Sequence, residues 1–280
     1  MKIILSRKGF DSANGGIVSP IMEDGTLISF PIPADEDDND KFEDLFYLGE
    51  SYTKILKDLN YKEDPERPNC HLDPNCHLDP DLSMDRRKNK IDGWLPIFGQ
   101  VNSSARYLKS TVRVNPGDLF LFFGNYHKVR YVDGKYQYIK KTGDFYSDND
   151  LQVIWGYMQV KKIITDPEEQ RKYNWHPHAG DWYVKPERTN VMFIASDTLS
   201  FNENMPGAGI LKYREDRVLT AKDCNKATWV KRSIYDVDSI IGNRKNSSRV
   251  QDGIYYAGIW QELGLKETPK CEEWAKSIIQ

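Results

Sequence analysis

Val114-Asn115-Pro116-Gly117-Asp118 followed by Leu119-Phe120-Leu121-Phe122-Phe123-Gly124 is the stretch whose reading decides the fold. A Pro-Gly-Asp turn opens it, an uninterrupted apolar run fills it and a glycine closes it, the pattern of a buried strand. Working outward, a polar, tyrosine-rich segment turns at Val132-Asp133-Gly134-Lys135. A second apolar run then follows, from Leu151 to Val160. Two such runs, close in sequence, predict neighbouring strands at the centre of one sheet.

The remainder of the composition limits what that sheet belongs to. A chain of 280 residues can bury a large core in one domain or two small ones. One α+β domain over residues 1–280 is expected, with an acidic N-terminal lobe (1–110) and a sheet core with a basic C-terminal segment (111–280) as its sub-division. Only 39% of residues are hydrophobic, yet 12% are aromatic, so much of the apolar area comes from rings that carry a polar edge. No apolar run reaches the roughly 20 residues that span a bilayer, and the N-terminus does not read as a signal peptide. A soluble, cytoplasmic protein without a membrane partner is therefore expected. Four cysteines, Cys70, Cys76, Cys224 and Cys271, are too few and too scattered for a disulfide framework. The net charge of −3 hides an asymmetry: residues 1–85 carry 8 Lys/Arg against 19 Asp/Glu, and the rest 31 against 23. An acidic lobe beside a basic face suits a phosphate-bearing partner better than it suits a dedicated duplex binder.

Several segments carry polar groups in patterns that suit chemistry. After the short strand Lys2-Ile3-Ile4-Leu5 comes Ser6-Arg7-Lys8-Gly9-Phe10-Asp11-Ser12-Ala13-Asn14-Gly15-Gly16, a glycine-rich loop able to cradle an anion or a sugar. It has the spacing of neither a P-loop nor a dinucleotide fingerprint, and a plain strand-to-strand turn is the competing reading. A tandem hexamer, Asn69 to Pro74 and Asn75 to Pro80, runs on into Asp81-Leu82. In its second copy His77, Asp79 and Asp81 can offer one nitrogen and two carboxylates to a divalent cation, or set an acid beside an imidazole for proton transfer. They can equally be turn and capping residues. Cys70 and Cys76 do not have a zinc spacing, and no metal or cofactor is assigned. His176 and His178 fall on one face of an extended backbone, where they can hold a metal or a phosphate, or be a structural pair in an aromatic loop. Helices are expected over residues 42–59, near 105–108, over 166–172, from Thr220 onward and over 271–279, the last turning Trp274 inward. Trp229 and Tyr235 among Lys226, Lys231, Arg232, Arg244, Lys245 and Arg249 suit unpaired nucleotides or a solvated face.

The Gly-Asp turn, the apolar strand and the later Gly-x-x-x-Val strand resemble PUA-like barrels of the EVE and YTH type over some 45 residues. A wider resemblance covers most of residues 1–260: SRKGFDSANGGIVSPI, DGTLISFPIP, HLDPDL, GWLPIFGQ, NPGDLFLFFG, DLQVIWGYMQV, WHPHAG and PGAGIL, with a later VLT. Together these are similar to the third family named nucleotide-modification-associated domain. That resemblance implies phage and bacterial systems that install, remove or respond to modified DNA bases, with modified DNA or nucleotides and other components of a modification or defence system as partners. Its polar positions fall on Arg7, Lys8, Asp11, Ser12, Gly15, Gly16, Ser19, His77, Asp79, Asp81, Gln100, His176 and His178. His71 and Asp73 of the first hexamer belong to an insertion, and Val18 departs from the family-like Gly-Gly-x-Pro-Ser-Pro. The expected fold is α+β, with a central mixed or antiparallel sheet, a distorted PUA-like barrel around 112–200 as its variant, and peripheral helices and long loops. The expected activity is glycosidic-bond or base-modifying chemistry: Asp11 as general base or as stabiliser of a developing cation at the sugar, His77 and Asp79 as proton carriers, Arg7 and Lys8 on phosphate, Trp155 stacked on the base. The alternative is a non-catalytic reader of modified bases, and a structural partner in a modification complex is the third reading.

Overall fold

The computed structural model of the chain describes residues 1–11, 14–34, 40–59, 75–245, 250–251, 254–255 and 261–280. The two apolar runs form long strands, Leu119–Val132 and Leu151–Ile164, paired antiparallel from Leu151 opposite Tyr126 to Gln159 opposite Leu119. They occupy the middle of a nine-stranded mixed sheet. Its main path runs Glu262–Leu265, Ile3–Arg7, Leu119–Val132, Leu151–Ile164, Asn190–Ala195, Ile97–Val101. Ile3–Arg7 and the short Ser19–Ile21 strand lie parallel to Leu119–Val132, while the other pairings are antiparallel. Asp133 and Gly134 take positive φ values of 52° and 77°, which turns the chain tightly into Lys135–Tyr138.

The apolar run is continuous because both faces of the sheet are covered. Phe120 and Phe122 pack on one side with Ile4, Phe98 and Phe193. Leu119, Leu121 and Phe123 pack on the other with Ile3, Leu5 and the C-terminal helix Pro269–Ile279, which contributes Cys271, Ala275 and Ile278. A bulge at Trp155, between the pairs Ile154–Phe123 and Gly156–Phe122, slips the alternation by one residue. Trp155 points into the first core beside Phe122, on the side of Leu151 and Val153, with 1% of its surface exposed. It is buried there and does not line the cleft described below, so the expected base-stacking role does not fit its position. A third apolar cluster joins Phe10, Phe30, Phe42, Tyr52, Ile55, Cys76 and Leu78 under the N-terminal loop.

The sheet stays open, since its terminal strands Glu262–Leu265 and Ile97–Val101 do not pair with each other, so no PUA-like barrel closes. The helix expected over 42–59 is real only from Tyr52 to Asp58, where Ser51 caps it. Before it a 3-10 turn, Phe42–Asp44, gives way to a small hairpin turning at Leu48 and Gly49, both with positive φ. Thr220 caps no helix: it bridges Trp229, and its hydroxyl accepts from the Gln152 N–H and donates to the Lys226 carbonyl. Gly207-Ala208-Gly209 leads into a short strand, Ala208–Ile210, on Leu151–Ile164. Trp229 and Tyr235 are core residues, so they present no stacking surface. No described helix is long and apolar enough to cross a membrane.

Asp81, expected at the substrate, instead ties the loop before Ile97–Val101 together. It is fully buried and accepts from Trp94 Nε1 at 2.7 Å and from Arg87 Nε and Nη2 at 3.0 and 2.8 Å, with Arg86 at 3.5 Å. Asp40 pairs with the other side of Arg87. Removing one member of a buried ion group strands the others. Asp81→Ala should therefore destabilise the protein by about 3–5 kcal/mol, read as a lowered urea midpoint at unchanged slope.

Candidate functional site

The strand Ile3–Arg7 ends where Leu119–Val132 continues past it, and the chain leaves the sheet through Lys8, Gly9 and Asp11. Ile97–Val101 ends nearby with Gln100, and Asn102, Ser103 and Ser104 begin the following helix. Between these ends lies a cleft of about 370 Å³, within the range of small-ligand sites. From a third direction the Asn75–His77 strand places Cys76 and Leu78 in the apolar cluster, and the intervening His77 and Asp79 on the cleft. His178, Trp182 and Tyr183 complete the wall.

Asp79 is the hub. Its side chain is 1% exposed, and its Oδ1 accepts the Gly99 N–H at 2.6 Å. Lys8 Nζ donates to Oδ2 at 3.1 Å while lying 4.4 Å from the centre of the Phe98 ring. His176 Nε2 stands 3.4 Å from Oδ1, and His178 Nε2 stands 3.9 Å from Oδ2. Burial alone would raise this carboxyl, but the Lys8 ammonium, helped by the His176 hydrogen bond, outweighs it and holds the carboxyl well below its ordinary 3.8. A group so firmly ionised is a fixed anion, which does not fit the proton-carrier role expected of Asp79. Gly99 is what lets the rings approach: a Cβ there would lie 2.2 Å from the His178 ring.

A relay of amides orients His178. Gln170 Nε2 donates to the carbonyls of Ile164 and Asn190 at 3.2 Å each, so its Oε1 faces Asn190 Nδ2, 3.1 Å away. The same Nδ2 donates to the His178 carbonyl at 2.8 Å, which turns Asn190 Oδ1 toward His178 Nδ1, also at 2.8 Å. Nδ1 must therefore carry the hydrogen, and Nε2 faces the Asp79 carboxylate. Burial keeps the His178 imidazole well below its ordinary 6.5, and the neighbouring His77 and His176 rings add to this against the opposing pull of Asp79. His77 Nδ1 is 3.0 Å from the Tyr183 hydroxyl, and the Tyr183 ring stacks on His77.

On the opposite wall Asp11 is oriented by Asn14, whose backbone N–H and Nδ2 reach Oδ1 at 2.8 and 3.1 Å, and by Arg7 Nη2 at 3.6 Å from Oδ2. Gly15 holds this loop in shape, with φ of 83° and no room for a Cβ against the Phe10 ring. The structure thus gathers Arg7, Lys8, Asp11, His77, Asp79, Gln100 and His178 around one cleft. His176 lies just behind it. Gly16 is exposed on the loop, and Ser19 is buried, accepting the Phe30 N–H at 3.1 Å. Ser12, and His71 and Asp73 of the first hexamer, lie outside the described residues. Gln100 is turned inward and donates to Glu262 at 2.5 Å. Residues the sequence did not signal are Tyr183, Asn190, Gln170 and Trp182, whose ring lies 3.3 Å beneath the Arg188 guanidinium. The adjacent Trp-Tyr pair just after His178 was the only available hint.

The Asp79 charge sets a pH test. A carboxyl depressed in the folded state stabilises the protein above its unfolded pKa, and that contribution is lost as pH falls from about 3.8 toward the folded value. Lys8→Met removes the first-named cause of the depression. The variant should lose about 3 kcal/mol at neutral pH, and its unfolding free energy should fall less steeply with acidification below 3.8 than that of the wild type. Denaturant unfolding across pH measures both.

No curated protein and no solved structure matches this chain. A family model does: that of nucleotide modification associated domain 3 aligns with residues 2–263, a span that takes in the whole cleft. With nearly the full length matched, the chain belongs to the nucleotide modification associated domain 3 family.

Proposed function

We propose that this protein is an enzyme that acts on a nucleotide, or on a base within DNA, in the cleft between Asp11 and Asp79. The observation that carries the reading is Asp11: a partly exposed carboxylate, aimed by Asn14 and Arg7 across a cleft from a buried cluster of ammonium and imidazole groups. Family membership, which implies an association with nucleotide modification, supports a nucleotide as the substrate class, and glycosidic-bond or base-modifying chemistry is the reaction that suits the groups. In it Asp11 acts as general base or stabilises positive charge developing at the sugar, and His77, coupled to the Tyr183 hydroxyl, moves a proton. Lys8 is committed to Asp79, so phosphate falls to Arg7 with Ser103 and Ser104 at the start of the helix. Trp182, 39% exposed and backed by Arg188, takes the stacking role expected of Trp155. If the base lies in duplex DNA it must be flipped out to reach the cleft. The setting we propose is modified-base metabolism in phages or their bacterial hosts, including defence.

The exposed Trp182 also favours a second reading, a non-catalytic reader that stacks a modified base and reads its edge. Mass spectrometry of small products, after incubation with DNAs and free nucleotides carrying a panel of modified bases, separates the two. The enzyme releases a base or alters a nucleotide, and Asp11→Asn lowers that rate by about 100-fold or more while affinity stays within about threefold. Absence of product from every member, together with panel binding that Trp182→Ala abolishes, establishes the reader instead.

A further inference from the structure

We infer that His77, Asp79 and His178 form a binding site for one divalent transition-metal ion at the floor of the cleft. A ring nitrogen from each histidine and a carboxylate oxygen of Asp79 lie within 4.8 Å of one another. Two imidazoles and one carboxylate are the donor set of borderline ions such as Zn²⁺ and Fe²⁺.

Three features of the surroundings point the same way. First, the Gln170–Asn190 relay puts the hydrogen of His178 on Nδ1, so the lone pair of Nε2 faces the carboxylate oxygen across 3.9 Å. Two electron-rich atoms meet there at a distance too long for a hydrogen bond. That gap is within reach of two zinc–ligand bonds of about 2 Å each, so a small shift of either side chain lets one ion touch both atoms. Second, each donor is already held by an outer partner, as metal-binding side chains usually are. Asn190 holds His178, Tyr183 holds His77, and Gly99 N–H holds the far oxygen of Asp79. Third, all three donors line the cleft, so the remaining coordination positions of the ion open toward the space where substrate would lie. Lys8, 3.1 Å from Asp79 Oδ2, does not exclude the ion, because an ionised carboxylate offers about four acceptor sites.

This inference concerns the same site as the proposed function and, with the ion bound, gives His77 a ligand's role in place of the proton transfer proposed above; it is tested without nucleotide, so either can fail alone. Chelator-treated full-length protein is titrated with Zn²⁺ by calorimetry and loaded with Co²⁺ for visible spectroscopy. One equivalent of Zn²⁺ is expected, together with Co²⁺ d–d bands that lack a thiolate charge-transfer band. Cys224→Ser should leave both unchanged, since that exposed thiol does not line the cleft. His77→Gln and Asp79→Asn should each weaken Zn²⁺ binding by roughly 10-fold or more and remove the Co²⁺ bands. Asp79 is buried and its replacement can unfold the chain, so the decision rests on His77→Gln, with a retained circular dichroism spectrum as the check. No saturable Zn²⁺ binding, Zn²⁺ affinity unchanged in folded His77→Gln, or a thiolate band in the Co²⁺ spectrum would each overturn the assignment.

Discussion

A buried, ionised carboxylate cannot remain unpaired, and much of this structure follows from how Asp79 is satisfied. Its partners come from the end of the first strand (Lys8), from the strand Ile97–Val101 (Gly99) and from the loop after residue 173 (His176 and His178). A buried ion group of this kind adds little net stability compared with a well-packed apolar core. What it does is penalise any arrangement in which one of the segments is misplaced. The same carboxylate therefore fixes the geometry of the cleft floor and supplies its negative charge.

The sheet makes that floor possible. Because Ile3–Arg7 is short and parallel to a longer neighbour, Arg7 ends the strand and the chain beyond it carries Lys8 and Asp11 out of the sheet and onto the cleft. The apolar clusters on both faces hold the strand ends rigid, and Cys76 and Leu78 anchor the His77–Asp79 segment from beneath. Rigid supports of this sort keep polar side chains within reach of one another without relying on loop contacts. Two glycines sit where any side chain would collide: Gly99 against His178 and Gly15 against Phe10.

Membership of the nucleotide modification associated domain 3 family gives the cleft a chemical context. The contrast between its walls then gives it a direction. Asp11 is partly exposed and held by one guanidinium and one asparagine, whereas Asp79 is buried and surrounded by cationic and imidazole groups. Two carboxylates in such different environments are suited to different tasks, the first to meeting substrate and the second to holding positive charge in place.

The sequence by itself determined the central pair of strands, because a continuous apolar run bounded by Pro-Gly-Asp and by glycine has few other ways to be buried. It also pointed to residues that the fold brings to the cleft: Arg7, Lys8, Asp11, His77, Asp79, Gln100 and His178 stand in short polar motifs. It could not tell Asp79 from Asp81, two residues apart and chemically identical, since one meets Lys8 and the other Arg87 only after the chain has folded. Nor could it place Trp155, because both faces of the sheet are covered and the ring is buried in the core it shares with Leu151 and Val153. The helix expected over 42–59 failed for a related reason: its leucines fit helical spacing, but Leu48 and Gly49 take up a turn and their neighbours pair in a hairpin. The tautomer of His178 was the least legible feature, because it is set by Gln170 and Asn190 through backbone carbonyls that only tertiary packing brings alongside. Local apolar pattern is written in the order of residues, whereas the partner of a buried polar group is chosen by three-dimensional proximity, and that is where the sequence stopped and the fold decided.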